Sequence, residues 1–279
     1  MPRRCWHEPS SFPASDARGV FFKLYSRLLA EDPVIDSVTV LFARHIREAL
    51  NSPEGKLGFQ QAARVLRSVT RNANLPPEGL VDILASSADI RTEGDSAVGM
   101  RLRMTTPGGG DPQSAFLKQE GGVWVIVNFA FSNASGPGGL GHEAADALER
   151  GNPAAARQWL DWSKESVLSA PIDSLGTPPF YVFNRTTDPP DPERLKLAAA
   201  ALLMSSDSVS ARRSLALARS SRAQKLSPEE TEAAAIMRAV AFVNAGMPDS
   251  AIAAIHELQR RHSGSQFLFG LEMKAYSDL

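Results

Sequence analysis

Three stretches of the chain repeat one arrangement of small and large apolar residues: Leu140 to Leu168, Leu195 to Ala223, and Ala235 to Ser263. Each reads as a helix, a short turn and a second helix, with one alanine midway along each helix. The pairs are Ala144 and Ala156, Ala199 and Ala211, Ala239 and Ala251. A larger apolar residue follows one turn after each second alanine, at Leu160, Leu215 and Ile255. Small residues at these places let paired helix axes approach closely. A hairpin so small cannot bury its own apolar face, so neighbours must stack against one another. The turns agree. Gly151-Asn-Pro153 and Gly246-Met-Pro248 place a glycine where one helix ends and a proline where the next opens.

This arrangement resembles the tetratricopeptide repeat. In the third unit the family pattern of large, small, aromatic, alanine and bulky apolar residues falls on Ala235, Ala239, Phe242, Ala251 and Ile255. A fourth half-unit begins 34 residues later, with Phe269 and Tyr276 in the large and aromatic places. The chain departs from the pattern at four positions. Arg238 and Glu272 stand where leucine is usual, Met273 where a small residue is usual, and Ser263 where proline is usual. The first two intervals are 55 and 40 residues (Ala144 to Ala199, Ala199 to Ala239). The resemblance implies a concave surface of stacked helix pairs that holds a peptide or helix.

The first half of the chain has a different grammar. Residues 1–16 carry three prolines and several serines and read as a loose tail. Helices are predicted over Ala17 to Ala30, from Pro33 to Leu50, over Leu57 to Thr70, and after Pro76-Pro77 through Leu80, Ile83 and Leu84. The period then changes to alternation at Val98, Met100, Leu102 and Met104, the mark of a half-buried strand. Strands follow over Ser114 to Lys118 and Val123 to Phe131, with an edge strand starting near Ile90. The last strand is apolar on both faces and should be the best covered of the sheet. Gly121-Gly-Val-Trp-Val-Ile-Val127 resembles the last strand pair of NTF2-like domains. The expected fold is therefore an α+β domain with an antiparallel β-meander over residues 17–132, then a linker at 133–139. An all-α tetratricopeptide-like helical-hairpin array follows over 140–279, with a proline-rich insertion at 169–192.

Composition narrows the functions on offer. Net charge is −1, so no overall field gathers nucleic acid. The longest clean apolar run, Leu197 to Met204, is too short for a membrane span. The single cysteine, Cys5, forms no internal disulfide. The basic start lacks an apolar stretch before Val20, which predicts a cytoplasmic chain, or an exported one if the gene's true start lies upstream.

Gly136-Pro-Gly138-Gly-Leu-Gly141 formally matches a dinucleotide fingerprint. The match fails on context, because the preceding strand ends four residues early and no parallel strand follows. It reads as linker. His7, His45, His142, His256 and His262 make no metal spacing with one another or with Cys5, and read as surface or helix-end histidines. No nucleophile elbow or phosphate loop occurs. Glu229 and Glu230, after Ser227-Pro228, read as acids opening a helix. No cofactor, metal or catalytic residue is expected, and the chain reads as non-enzymatic.

The candidate contact residues lie in two places. The insertion places Phe180, Tyr181, Phe183 and Arg185 in a proline-stiffened loop, with Phe180 and Phe183 filling an apolar gap and Tyr181 and Arg185 facing a partner. Arg212, Arg213, Arg219, Arg222 and Lys225 make one helix basic, which suits an acidic protein or peptide partner. The last helix, with Phe267, Leu268, Leu271 and Tyr276, leaves self-association open. An interaction module is the reading these features favour. The alternative is a small-ligand-binding or remnant enzyme domain in the α+β part, with accessory helices.

Overall fold

The computed structural model describes residues 17–30, 34–72, 81, 89–105, 113–129, 138–164, 177–185, 190–204, 207–222 and 226–279. The chain divides into two compact units, Met1–Phe131 and Ser132–Leu279. The first is α+β with a small antiparallel sheet, and the second is an all-α array.

In the first unit, helix α1 (Ala17–Leu29) buries Val20, Phe22, Leu24, Tyr25, Leu28 and Leu29. The sheet is a meander of β1 (Asp89–Glu93), β2 (Met100–Thr105), β3 (Gln113–Glu120) and β4 (Val123–Phe129), in that spatial order. Every pairing is antiparallel, and an irregularity lies between Phe116 and Leu117. One face, with Leu102, Met104, Ala115, Leu117, Trp124 and Ile126, packs with the residues of α1 into a single core. The sheet lacks the closed, curled form of NTF2-like domains, so that likeness goes no further than a hairpin ending in a buried tryptophan strand.

The helix expected from Pro33 to Leu50 is broken. Helix α2 (Ile35–Thr39) and helix α3 (Arg44–Leu50) are separated by a turn and a single bridge residue, Phe42, paired with Ile126. There Leu41 accepts the Ile126 amide at 2.8 Å, and the Ala43 amide donates to the Ile126 carbonyl at 2.8 Å. β4 is the last strand in the sheet, and its bare edge has backbone groups that need partners. Helix α2 stops at the β-branched Thr39, with β-branched Val40 as its cap, both weak helix formers, and the residues after them pair with the strand. This cover is one reason that Trp124 to Asn128 are all buried although β4 lies at an edge. Helix α4 (Pro53–Asn72) starts a turn earlier than expected, with Ser52 Oγ accepting the Gly55 amide at 3.0 Å. Of the expected fourth helix only Val81 lies within the described residues, helical and buried.

The second unit begins with α5 (Gly138–Glu149) and α6 (Pro153–Ser163), a hairpin. The short α7 (Pro179–Phe183) belongs to the insertion. Two further hairpins follow, α8 (Pro192–Leu203) with α9 (Ser208–Ser220) and α10 (Pro228–Asn244) with α11 (Pro248–Gln259). Helix α12 (Gln266–Ser277) closes the order. Each hairpin packs on the next. First helices α5 and α8 lie together, α9 packs on α10, and α12 packs on both α11 and α10. All six repeat alanines have no exposed surface. The array thus has repeat-like packing at the positions that the spacing singled out.

Two hairpin turns share one device. Gly151 and Gly246 have φ of 72° and 68°, the left-handed region that favours glycine. In each, the following amide reaches back five residues, Asn152 to the Ala147 carbonyl at 2.9 Å and Met247 to the Phe242 carbonyl at 3.0 Å. Part of the glycine-rich stretch read as linker is helix, since α5 begins at Gly138. Gly141 serves packing there: a Cβ on it would lie 2.9 Å from Leu202 Cβ and 3.1 Å from Leu203 Cγ.

A candidate binding groove along the helical array

A groove of about 270 Å³ runs between α9 and α10. Leu197 of α8, Leu215, Met237 and Phe242 form its apolar lining. Two arginines line it from opposite helices, Arg219 near the end of α9 and Arg238 in the middle of α10. Both are exposed, and neither has a hydrogen bond or ion pair among the described residues. Ser221 and Thr231 add hydroxyls to the lining. Apolar contact and two open guanidinium forks thus share one concavity.

The neighbouring charges are spoken for. Arg194 donates to Glu230 Oε1 at 2.7 Å and to Asp191 Oδ2 at 2.7 Å, which ties α8 to the start of α10. Glu230 is also the third residue of a capping box with Ser227, as the Ser-Pro-Glu-Glu run suggests. The hydrogen bond from Arg194 is the main reason the Glu230 carboxyl lies below the usual glutamate range. Burial pushes Asp191 up, but its bonds from Arg194 and the Glu193 amide outweigh this and leave it lowered.

A buried serine and histidine stand 2.9 Å apart where α5 meets α9, Ser210 Oγ and His142 Nε2. The arrangement is not that of a nucleophile and its base. A guanidinium only donates, so the Arg213 contact at 2.9 Å makes His142 Nδ1 the acceptor and puts the proton on Nε2. His142 then donates to Ser210, and Ser210 donates to Asp207 Oδ2 at 2.9 Å. The imidazole gives a proton to the hydroxyl where a general base would take one. Burial of His142 differs from the surface or helix-end place expected for it. His256 lies at the surface and His262 is half-buried just past the end of α11, bonded to Glu272 at 2.8 Å and Glu232 at 2.6 Å respectively. Among the described residues no cluster of His, Cys, Asp or Glu could hold a metal ion, and no helix is long and apolar enough to cross a membrane.

Of the seven contact residues singled out in the sequence, six are described, and the groove takes in one of these, Arg219. Tyr181 is half-buried and donates its O–H to the Lys164 carbonyl at 3.2 Å. Arg185 pairs with Glu229 at 2.6 Å. Arg212 is exposed and reaches the Ala245 carbonyl at 3.4 Å. Arg213 turns inward to Asp146 and Glu149 of α5. Arg222 lies beyond the end of α9, and Lys225 lies outside the described residues. Arg238 was not singled out as a contact residue. Its signal was present as a cation in a place where the repeat pattern has leucine, because a charge in an apolar slot marks a slot that faces solvent.

Fold and groove together define a class: an α+β unit joined to a stack of helical hairpins with a lined concavity. Comparison with protein-family models, curated proteins and solved structures finds no match to the chain.

Proposed function

We propose that this chain is a non-catalytic interaction module whose helical array holds an acidic, partly apolar peptide in the groove between α9 and α10. The observation that carries this reading is the pair Arg219 and Arg238, two exposed guanidiniums without an anionic partner among the described residues, over a lining of Leu197, Leu215, Met237 and Phe242. Carboxylates of a peptide would answer the guanidiniums, and its apolar side chains would cover the lining. The repeat-like packing of the hairpins supports the same reading, because stacked hairpins present such concavities along their length.

The test uses two labelled peptides, one alternating glutamate with leucine and one alternating lysine with leucine, titrated against the full chain. The acidic peptide should bind more tightly, and less so as salt rises. Each charge-assisted contact is worth about 1.5–3 kcal/mol, so Arg219→Glu with Arg238→Glu should weaken binding by roughly a hundredfold or more. Equal binding of both peptides, or an unchanged affinity in the double variant, rejects the proposal. The α+β unit has a shallow concavity of about 290 Å³ lined by Arg64, Arg67, Ser68 and Arg71 of α4, with little apolar lining among the described residues. The described side chains between its sheet and α1 form a continuous apolar cluster.

A further inference from the structure

Helix α4 gathers cations on its outer side. Arg64, Arg67 and Arg71 fall at intervals of three and four, so their side chains leave one side of the helix, with Ser68 beside them. Phe59, Ala63 and Thr70 face inward and are buried. The three arginines and Ser68 line the shallow hollow of about 290 Å³. From Leu57 to its end the helix carries no acidic residue. Other arginines of this unit have acids: Arg44 pairs with Glu48 at 3.0 Å, and Arg47 with Glu120 at 2.9 Å. Arg64 and Arg71 are exposed, and neither has a hydrogen bond or ion pair among the described residues. Arg67 Nε donates to the Ala63 carbonyl at 3.2 Å, which steers its guanidinium. The Thr70 hydroxyl turns back to the Arg67 carbonyl at 2.8 Å, whereas the Ser68 hydroxyl makes no such bond among the described residues. The helix dipole accounts for a cation in the last turn, Arg71, but not for Arg64 two turns earlier.

The geometry points to a binding site in this hollow for a phosphate group, carried by a small soluble phosphate ester or pyrophosphate, or by a lipid headgroup. Like charges on neighbouring turns repel, so the cluster costs stability until an anion offsets it. Arg64 and Arg71 are about 10 Å apart along the helix axis, and arginine side chains are long enough to converge over that span on one small ion. A carboxylate is planar, carries one charge and is answered by a single fork. A phosphate group carries about 1.5 to 2 negative charges at pH 7 and has three acceptor oxygens, so it takes several forks and a hydroxyl at once. An extended polyanion fits less well. The net charge of −1 gives no field to gather nucleic acid, and the cations meet in one hollow instead of following a track. The site belongs to the α+β unit and does not rest on the reading of the groove between α9 and α10.

Equilibrium dialysis of radiolabelled inorganic pyrophosphate against the full chain tests this, with a second arm in which the chain is sedimented with phosphatidylcholine vesicles with and without phosphatidic acid. Binding should saturate at one site and weaken as salt rises, and acetate at the same concentration should not displace the probe. Arg64→Gln should weaken binding about tenfold, and Arg64→Gln with Arg71→Gln about a hundredfold. Lys56→Gln removes the same charge from the same helix outside the hollow and should change the affinity by less than about twofold. These side chains are exposed, so the variants should keep wild-type helicity and thermal midpoint. Saturable pyrophosphate binding without retention on phosphatidic acid vesicles assigns a soluble ligand. Retention on those vesicles that the double variant loses assigns a lipid headgroup. The proposal is overturned if neither probe binds, if the double variant binds as the wild type does, if Lys56→Gln weakens binding as much as Arg64→Gln, or if acetate displaces pyrophosphate.

Discussion

Arg213 and Arg238 are the same residue type on adjacent helices, and their surroundings give them opposite roles. Arg213 joins α9 to α5 through Asp146, Glu149 and His142, so removing it leaves the buried His142 and half-buried Asp146 without their donor. Arg213→Ala should lower stability by about 1–3 kcal/mol, read as a fall in the urea midpoint, whereas Arg212→Ala should move it by less than about 0.5 kcal/mol. The glycines divide in a similar way. Gly246 is needed for its backbone and Gly141 for its lack of a side chain. Gly246→Ala should cost about 1–2 kcal/mol, and Gly246→Asn less, since asparagine tolerates the left-handed region. At Gly141 the order reverses: alanine costs about 1–3 kcal/mol by overpacking against Leu202, and asparagine costs more. Thermal midpoints of the four variants separate the two cases. The acids around Arg194 make stability depend on pH. Glu230 and Asp191 both have lowered values in the folded chain, so they bind protons less readily there than when unfolded. Their contribution is complete above the unfolded values of about 4.3 and 3.9 and disappears as pH falls through the lower folded ones. Arg194→Ala should therefore flatten the loss of stability as pH falls below about 4.5, measured by urea unfolding at a series of pH values.

Elements were legible where local pattern and tertiary demand agree, and obscure where they compete. The alanine hairpins and the meander strands are examples of agreement. The segment Leu41 to Ala43 is the competing case: apolar spacing there suits a continuous helix, yet the edge of β4 takes its backbone. Nothing local announces a hydrogen bond to Ile126, because that partner lies far along the chain. The insertion is intermediate. Phe180 and Phe183 are buried, as expected for residues that fill a gap. Their neighbours Tyr181 and Asn184 satisfy carbonyls at the end of α6, Lys164 at 3.2 Å and Leu160 at 3.2 Å. Helix ends have such orphan acceptors, and here an insertion supplies the donors. Tyr181→Phe should cost about 0.5–1.5 kcal/mol through that one bond, and Phe183→Ala about 3–5 kcal/mol through a cavity, by denaturant titration.

At the scale of the molecule the array behaves as a row of hairpins, each held by its neighbours. Ile255 is fully buried in the cluster that contains Leu268 and Ala275. Ile255→Ala should therefore raise hydrogen exchange in α11 and α12 well before α5 and α6, and a uniform loss of protection across the array would refute that picture. One of the departures from the repeat pattern acquires a reason at this scale, since Arg238 lines the groove. The amino-acid order by itself determined the class of each half, the alanine contacts within each hairpin, and the glycine–proline turns, since all of these depend on neighbours a few residues away. The tertiary structure alone decided which arginines are consumed in ion pairs, which remain open, and where a helix gives way to a strand edge. Those outcomes depend on groups brought together from distant parts of the chain, and local periodicity carries no record of such distances.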